Sequence, residues 1–285
     1  MALGPLSDFH LLPPSLVAAL VVGVVGFGIY HAYTGRPTIA RLPRQLSAIG
    51  AIVATCIVVF ILEGVPISRG AAIVPPFFHN VTVWNGLVPW LFVHGYQWWA
   101  PFTQMFVHFD VFHILFNMLF LVWIGQNVEA RIGRHEFVVM YLLSGLFATV
   151  VTLLGVYFLP AAWQNIVWLS LPNEFGPNIG ASGAVYGVIG FAMGAFPHEK
   201  VLIPTPIIAT YWTPPVAALI LIVISFITAL FWQNVAWWAH LAGMAMGFVW
   251  GFRWRRSRRG RVRIDSVAGW GSGGVVRYVH TYRYR

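Results

Sequence analysis

The sequence predicts an all-α, polytopic membrane protein with seven spans, on three observations. Apolar residues make up 59% of the 285-residue chain and charged residues 9%, whereas a soluble domain of this length carries about 25% charged residues. The apolar residues gather into runs near the roughly 20 residues that a bilayer crossing needs. The basic residues fall on every second connection, which is the signature of loops kept on one side of a membrane. The single cysteine, Cys56, lies inside an apolar run, so no disulfide framework exists.

In chain order, the first span is predicted at Leu16 to Tyr33, followed by a linker with Arg36, Arg41 and Arg44 punctuated by Pro37 and Pro43. The second runs from about Leu46 to Leu62. Residues 63–103 are rich in aromatics (Trp84, Trp90, Trp98, Trp99) and in Pro and Gly, without a clean apolar run. Such amphipathic rings favour the membrane–water interface, so this connection is expected to be partly embedded in one leaflet. The third span covers about Val111 to Asn127 and closes at the turn Glu129–Glu136. The fourth is Phe137 to Leu159, and a loop at 160–179 without Lys or Arg follows. The fifth covers about Ala181 to Phe196, the sixth Pro215 to Phe231 and the seventh Val235 to Phe252.

Seven arginines crowd between Arg253 and Arg263. Directly after an apolar helix, such a cluster reads as an anchor on anionic lipid rather than a nucleic-acid surface. The remaining Gly, Ser, Arg and Tyr-rich tail, 253–285 overall, is expected to be disordered. The loops at 34–45, 128–136 and 197–213 and the tail hold nearly all of the Lys and Arg. The N-terminus is therefore expected outside and the C-terminus in the cytosol. No cleavable signal peptide and no transit peptide are evident, and an integral protein of a prokaryotic plasma membrane is the expectation.

Polar groups inside spans are costly, so each needs a reason. His113 and Asn117 stand four apart on one face of the third span, and Ser182 and Tyr186 share that spacing on the fifth. His240 lies a few residues into the seventh. All lie towards the outer side. Gly183 and Gly187 follow Ser182, and Gly243 and Gly247 follow His240, at spacings that let two helices approach closely. Close approach would set Ser182 beside His240. An imidazole beside a hydroxyl can take its proton and later return it to a leaving group. None of the eight acidic residues falls within a span where it could orient His240, so a dyad is expected rather than a triad. His113, Asn117 and the Ser182 backbone N–H are the expected donors to a developing oxyanion. His108, Asp110 and His113 invite a metal reading. However, His108 and His113 are five apart and off one helical face, and no H-E-x-x-H occurs. No metal and no cofactor are expected.

The motifs His113-Ile-Leu-Phe-Asn117, Gly180-Ala-Ser182-Gly183 with Tyr186, and Ala239-His240-Leu-Ala-Gly243 with Gly247 resemble those of the rhomboid intramembrane serine proteases. Glu129-Ala-Arg131-Ile-Gly133 also matches. The resemblance covers about residues 46–252 and implies a six-helix rhomboid-like core. Residues 1–45 then form an extra N-terminal transmembrane helix and cytosolic linker, and 253–285 a basic cytosolic tail. It further implies Ser182 as nucleophile, His240 as general base and acid, and Tyr186 packed on the His240 ring. The span at 215–231 and the loop at 232–234 are implied as substrate gate and cap. The implied partners are transmembrane protein substrates, cut at a small residue near a helix-weakening stretch. Trp99-Ala100 stands where family members often have Trp-Arg. The alternative reading is a catalytically inert rhomboid-like protein that binds or escorts membrane clients.

Overall fold

The computed structural model of the chain describes residues 21–27, 29–30, 47–63, 66–68, 71–72, 83–159, 174–204, 209–231, 236–258, 263–271 and 274–282. The expected first span is described only at 21–27 and 29–30, which are helical. The expected cap at 232–234 lies outside the described residues.

Among the described residues, two helices are long and apolar enough to cross a membrane. They are Val111–Ile132, with mean hydropathy 1.6, and Arg134–Phe158, with 2.3. At 1.5 Å per residue each reaches about 33 Å or more, against a hydrocarbon layer of about 30 Å. Ala48–Leu62, Ser182–Ala195, Pro214–Phe231 and Trp237–Arg258 complete the larger helices. Their outward surfaces are apolar. On Arg134–Phe158 the exposed residues Val139, Leu143, Phe147, Val150, Leu154 and Phe158 recur at helical spacing. Pro214–Phe231 exposes Val216, Leu219, Val223, Ile224 and Ile227. Water would penalise such stripes and acyl chains do not. The protein is membrane-integral and mostly helical.

The turns explain the helix ends. Ser47 caps Ala48–Leu62 by accepting from Gly50 N–H at 3.0 Å. The Glu129 carboxylate accepts from the Ala48 and Ile49 N–H groups at 2.9 and 3.2 Å, placing negative charge at a helix N-terminus. Asp110 caps Val111–Ile132 through the His113 N–H at 2.8 Å. Gly133 alone, at φ 82°, separates that helix from the next. Its conformation is one that side-chain-bearing residues rarely adopt. The third span therefore continues past Asn127 to Ile132, through the first half of the expected turn. Likewise the last helix runs beyond Phe252 to Arg258, because nothing before Gly260 breaks it. On the same side, Arg131 pairs with Glu199 and lies 4.3 Å over the Phe196 ring.

Beyond that helix the structure corrects the expected disorder. Arg263–Gly271 pairs antiparallel with Gly274–Tyr282, in register from Arg263↔Tyr282 to Gly271↔Gly274. Two β-branched and aromatic-rich runs separated by two residues, Ser272-Gly273, form a hairpin signal that the arginine content obscured. Two further short pairs interrupt the all-α pattern: Pro66–Ser68 with Ala71–Ala72, and Val201–Pro204 with Ala209–Trp212. The 63–103 connection contributes the short helices Pro89–Val93 and Ala100–Thr103 and a 3₁₀ turn at Gln104–Phe106.

Ser182–Ala195 is the central helix, buried at nearly every position from Ala184 to Ala195. It meets Trp237–Arg258 backbone to backbone. A Cβ on Gly243 would collide with the Gly183 carbonyl, on Gly247 with the Gly187 carbonyl, and on Gly251 with the Phe191 carbonyl. From the other side, a Cβ on Gly190 would meet the Met244 carbonyl, and one on Gly194 the Phe248 carbonyl. Gly183 and Gly187 also serve a second neighbour. A Cβ on Gly183 would stand 2.8 Å from the Ala148 Cβ, and one on Gly187 would strike Ser144. Both of those residues belong to Arg134–Phe158. The glycine seam is therefore longer than expected and draws three helices together.

Candidate active site

Ser182 is the first residue of the central helix, so its own N–H has no partner within that helix. The chain reaches it through a constrained approach. Asn178 and Leu87 exchange backbone hydrogen bonds at 2.8 and 2.9 Å, and Gly180 N–H donates to the Gln104 carbonyl at 2.9 Å. The Gln104 amide donates to Thr149 and its oxygen accepts from Asn178 Nδ2 at 3.4 Å. Gly180 itself has φ 123°, and a Cβ there would lie 2.7 Å from His113 Cε1 and Nε2. Glycine is required twice over at that position, for its dihedral and for the imidazole that occupies the space.

His240 sits on the neighbouring helix, buried at 8% exposure. Its Nε2 lies 2.8 Å from Ser182 Oγ. The Tyr186 ring stacks on the imidazole, with centroids 4.3 Å apart and planes 9° from parallel. Three residues of the expected set therefore converge: Ser182, His240 and Tyr186. The serine is part-exposed, and the imidazole is buried behind it.

His113 also reaches the site, its ring filling the space that a Gly180 side chain would take. The Phe109 N–H donates to His113 Nδ1 at 3.3 Å. An amide can only donate, so Nδ1 carries the lone pair and the neutral ring bears its proton on Nε2. That nitrogen is the one facing Gly180, beside Ser182, and is a hydrogen-bond donor there. Asn117 is buried one turn further along the same helix, and its amide donates to the His113 carbonyl at 2.8 Å. Its observed bond is to the His113 turn, with a second amide hydrogen left to offer. The three residues of the metal reading are engaged separately. Asp110 caps its helix, His113 faces Gly180, and His108 Nδ1–H donates to the Phe106 carbonyl at 3.2 Å. Among the described residues no group of three or more His, Cys, Asp or Glu is placed to hold a metal ion.

Two contributions were missed from sequence. Gln104 organises the approach to Ser182 from 78 residues away in the chain, a pairing no local pattern encodes. Ser225 lies in the apolar helix Pro214–Phe231 and is buried. Its Oγ stands 3.0 Å from His240 Nδ1 and 2.5 Å from the Tyr186 hydroxyl. A polar residue in an apolar run, one of two with Thr228, was the available signal.

The chain is similar to known proteins. A family model, the Rhomboid domain, matches residues 95–257, more than half of the chain and all three motifs. Among curated proteins, RHOMBOID-like protein 1 of Arabidopsis thaliana is 29% identical over 160 residues, which is 56% of this chain and 35% of that protein. The matched stretch thus spans about a third of the length of that relative. With its extent and its motif residues accounted for, the chain belongs to the rhomboid family.

Proposed function

We propose that the protein is an intramembrane serine endopeptidase that cuts transmembrane segments of other membrane proteins. The observation that carries this reading is the 2.8 Å contact between Ser182 Oγ and His240 Nε2, held between two helices whose glycines fix the distance. Ser182 Oγ passes its proton to His240 Nε2 as it attacks the scissile carbonyl. The developing oxyanion is held by the Ser182 N–H, the His113 Nε2–H and the Asn117 amide. His240 then gives its proton to the leaving amine. Water, deprotonated by the same nitrogen, hydrolyses the acyl-serine and restores both side chains. The chain requires no metal or cofactor for these steps.

The rest of the reading concerns the membrane. Seven spans, with the N-terminus outside and the C-terminus cytosolic, fit the basic loops. The Arg253–Arg263 cluster then sits on anionic lipid of a plasma membrane. Reporter fusions in the 34–45 loop should report a cytosolic location, and an external one rejects this topology. For the chemistry, a serine-reactive phosphonate or isocoumarin should label the wild-type protein at Ser182. Labelling should vanish in Ser182→Ala and His240→Ala, whereas a folded wild-type protein inert to the probe would favour a client-binding role.

A further inference from the structure

The hydrogen bonds behind His240 run in one direction. The Leu221 carbonyl can only accept, and the Tyr186 hydroxyl stands 2.9 Å from it, so the single phenolic proton is directed there. The Tyr186 oxygen then meets Ser225 Oγ at 2.5 Å as an acceptor, and takes the Ser225 proton. With that proton committed, Ser225 Oγ accepts across the 3.0 Å to His240 Nδ1. Nδ1 therefore carries the ring hydrogen, and Nε2 turns its lone pair to Ser182 Oγ. If the chain ran the other way, from Tyr186 through Ser225 to Nδ1, Nε2 would face Ser182 as a donor and could not take the serine proton. The Leu221 carbonyl decides between the two.

Resting on the dyad reading above, we propose that Ser225 is a positioning residue. Together with Tyr186 it locks His240 in the Nδ1–H tautomer, the role that a buried carboxylate fills in a Ser-His-Asp triad. A hydroxyl suits this location better than a carboxylate. Ser225 is buried on an apolar helix, where an ionised group would be costly to hold. When Nε2 takes the serine proton, the Nδ1–H stays on Ser225 Oγ. The new positive charge is then met by an oriented chain of hydroxyl dipoles ending on a helix carbonyl.

The test uses the full chain in detergent or liposomes with nitrogen-15 histidine, the His240 signals being assigned by their loss in His240→Ala. The expected wild-type spectrum has hydrogen on Nδ1 and none on Nε2. Ser225→Ala should give a tautomer mixture, and Ser225→Thr, which keeps the hydroxyl, should retain the wild-type form. In parallel, Ser225→Ala should lower kcat about 10- to 100-fold, the effect of losing a hydrogen bond to a group that becomes charged. KM should stay within about twofold, and Ser225→Thr should restore most of the rate. Should Ser225→Ala not fold, Tyr186→Phe makes the same test, since it frees the Ser225 proton to turn towards Nδ1. Hydrogen on Nε2 in the wild type, or an unchanged tautomer in these variants, overturns the proposal. A wild type that shows the expected tautomer yet cleaves nothing rejects the protease reading and leaves the lock standing.

Discussion

His240 is held on two sides by different physics. Towards Ser182–Ala195 its helix is positioned sterically, by glycine against carbonyl, so that the ring meets Ser182 Oγ and stacks on Tyr186. Towards Pro214–Phe231 it is polar, through Ser225 Oγ and, by way of Tyr186, the Leu221 carbonyl. The outer surface of that second helix is apolar and exposed. The steric side sets where Nε2 sits relative to Ser182, and the polar side sets which nitrogen carries hydrogen. Distance is thus set by the seam between two helices, and protonation by Ser225 of the third together with Tyr186 of the serine helix. A dyad can then work without an acid, provided both sides stay in place.

The comparison breaks most sharply at the seam. Gly247→Ala places a methyl group in the Gly187 carbonyl, and neither backbone can give way without moving a helix. We expect a loss of about 3 kcal/mol in thermal unfolding, the upper end for overpacking. Cleavage should fall by about 10²-fold or more, because a displacement of roughly 1 Å between reacting groups has that effect. A normal melting temperature with normal cleavage would show that the seam does not set the geometry.

Gly180→Ala should be nearly as severe for activity, since the new methyl group would stand 2.7 Å from the His113 ring at a φ of 123°. Steady-state cleavage with and without the substitution measures it. Asn117→Ala sharpens the comparison by leaving both helices alone. It should cost about 10²- to 10³-fold in kcat, as other oxyanion donors do, with unfolding shifted by no more than a buried hydrogen bond contributes. Equal losses in kcat and stability would make Asn117 structural.

At the small end, Leu219→Ala on the outer face of Pro214–Phe231, a residue 63% exposed, should change stability by no more than about 0.5 kcal/mol. A large effect in unfolding experiments would mean that this face is packed rather than lipid-exposed. Arg131→Ala should also be mild. Its pairing with Glu199 is partly exposed, the side chains being 27% and 44% accessible, and solvent-screened pairs contribute at most about 1 kcal/mol.

Much of this arrangement was legible in the sequence. His113, Asn117, Ser182, Tyr186 and His240 stood out because polar residues are scarce in apolar runs. The glycine spacing after Ser182 and His240 gave the reason for them to meet. What escaped was of two kinds. Ser225 and Gln104 act across long sequence separations, on His240 and Tyr186 and on Thr149, Asn178 and the Gly180 N–H, and no local spacing pairs them. The tail hairpin was missed: the Val, Tyr and Thr residues of 274–282 are strand formers, but the Gly, Ser and Arg content read as disorder. The helix ends moved outwards for a simpler reason. Arg and Glu are good helix formers, and a span's apolar limit is not its helical limit.

The central claim is that Ser182 and His240 form a working hydrolytic pair inside the membrane. The most direct measurement is cleavage of a panel of single-span substrates by the purified protein in liposomes, beside folded Ser182→Ala. The account predicts discrete cleavage within the transmembrane segment by the wild type and none by the variant. Cleavage that survives Ser182→Ala, or a folded wild-type protein that cuts none of the panel and leaves a serine-reactive probe unbound, would contradict it.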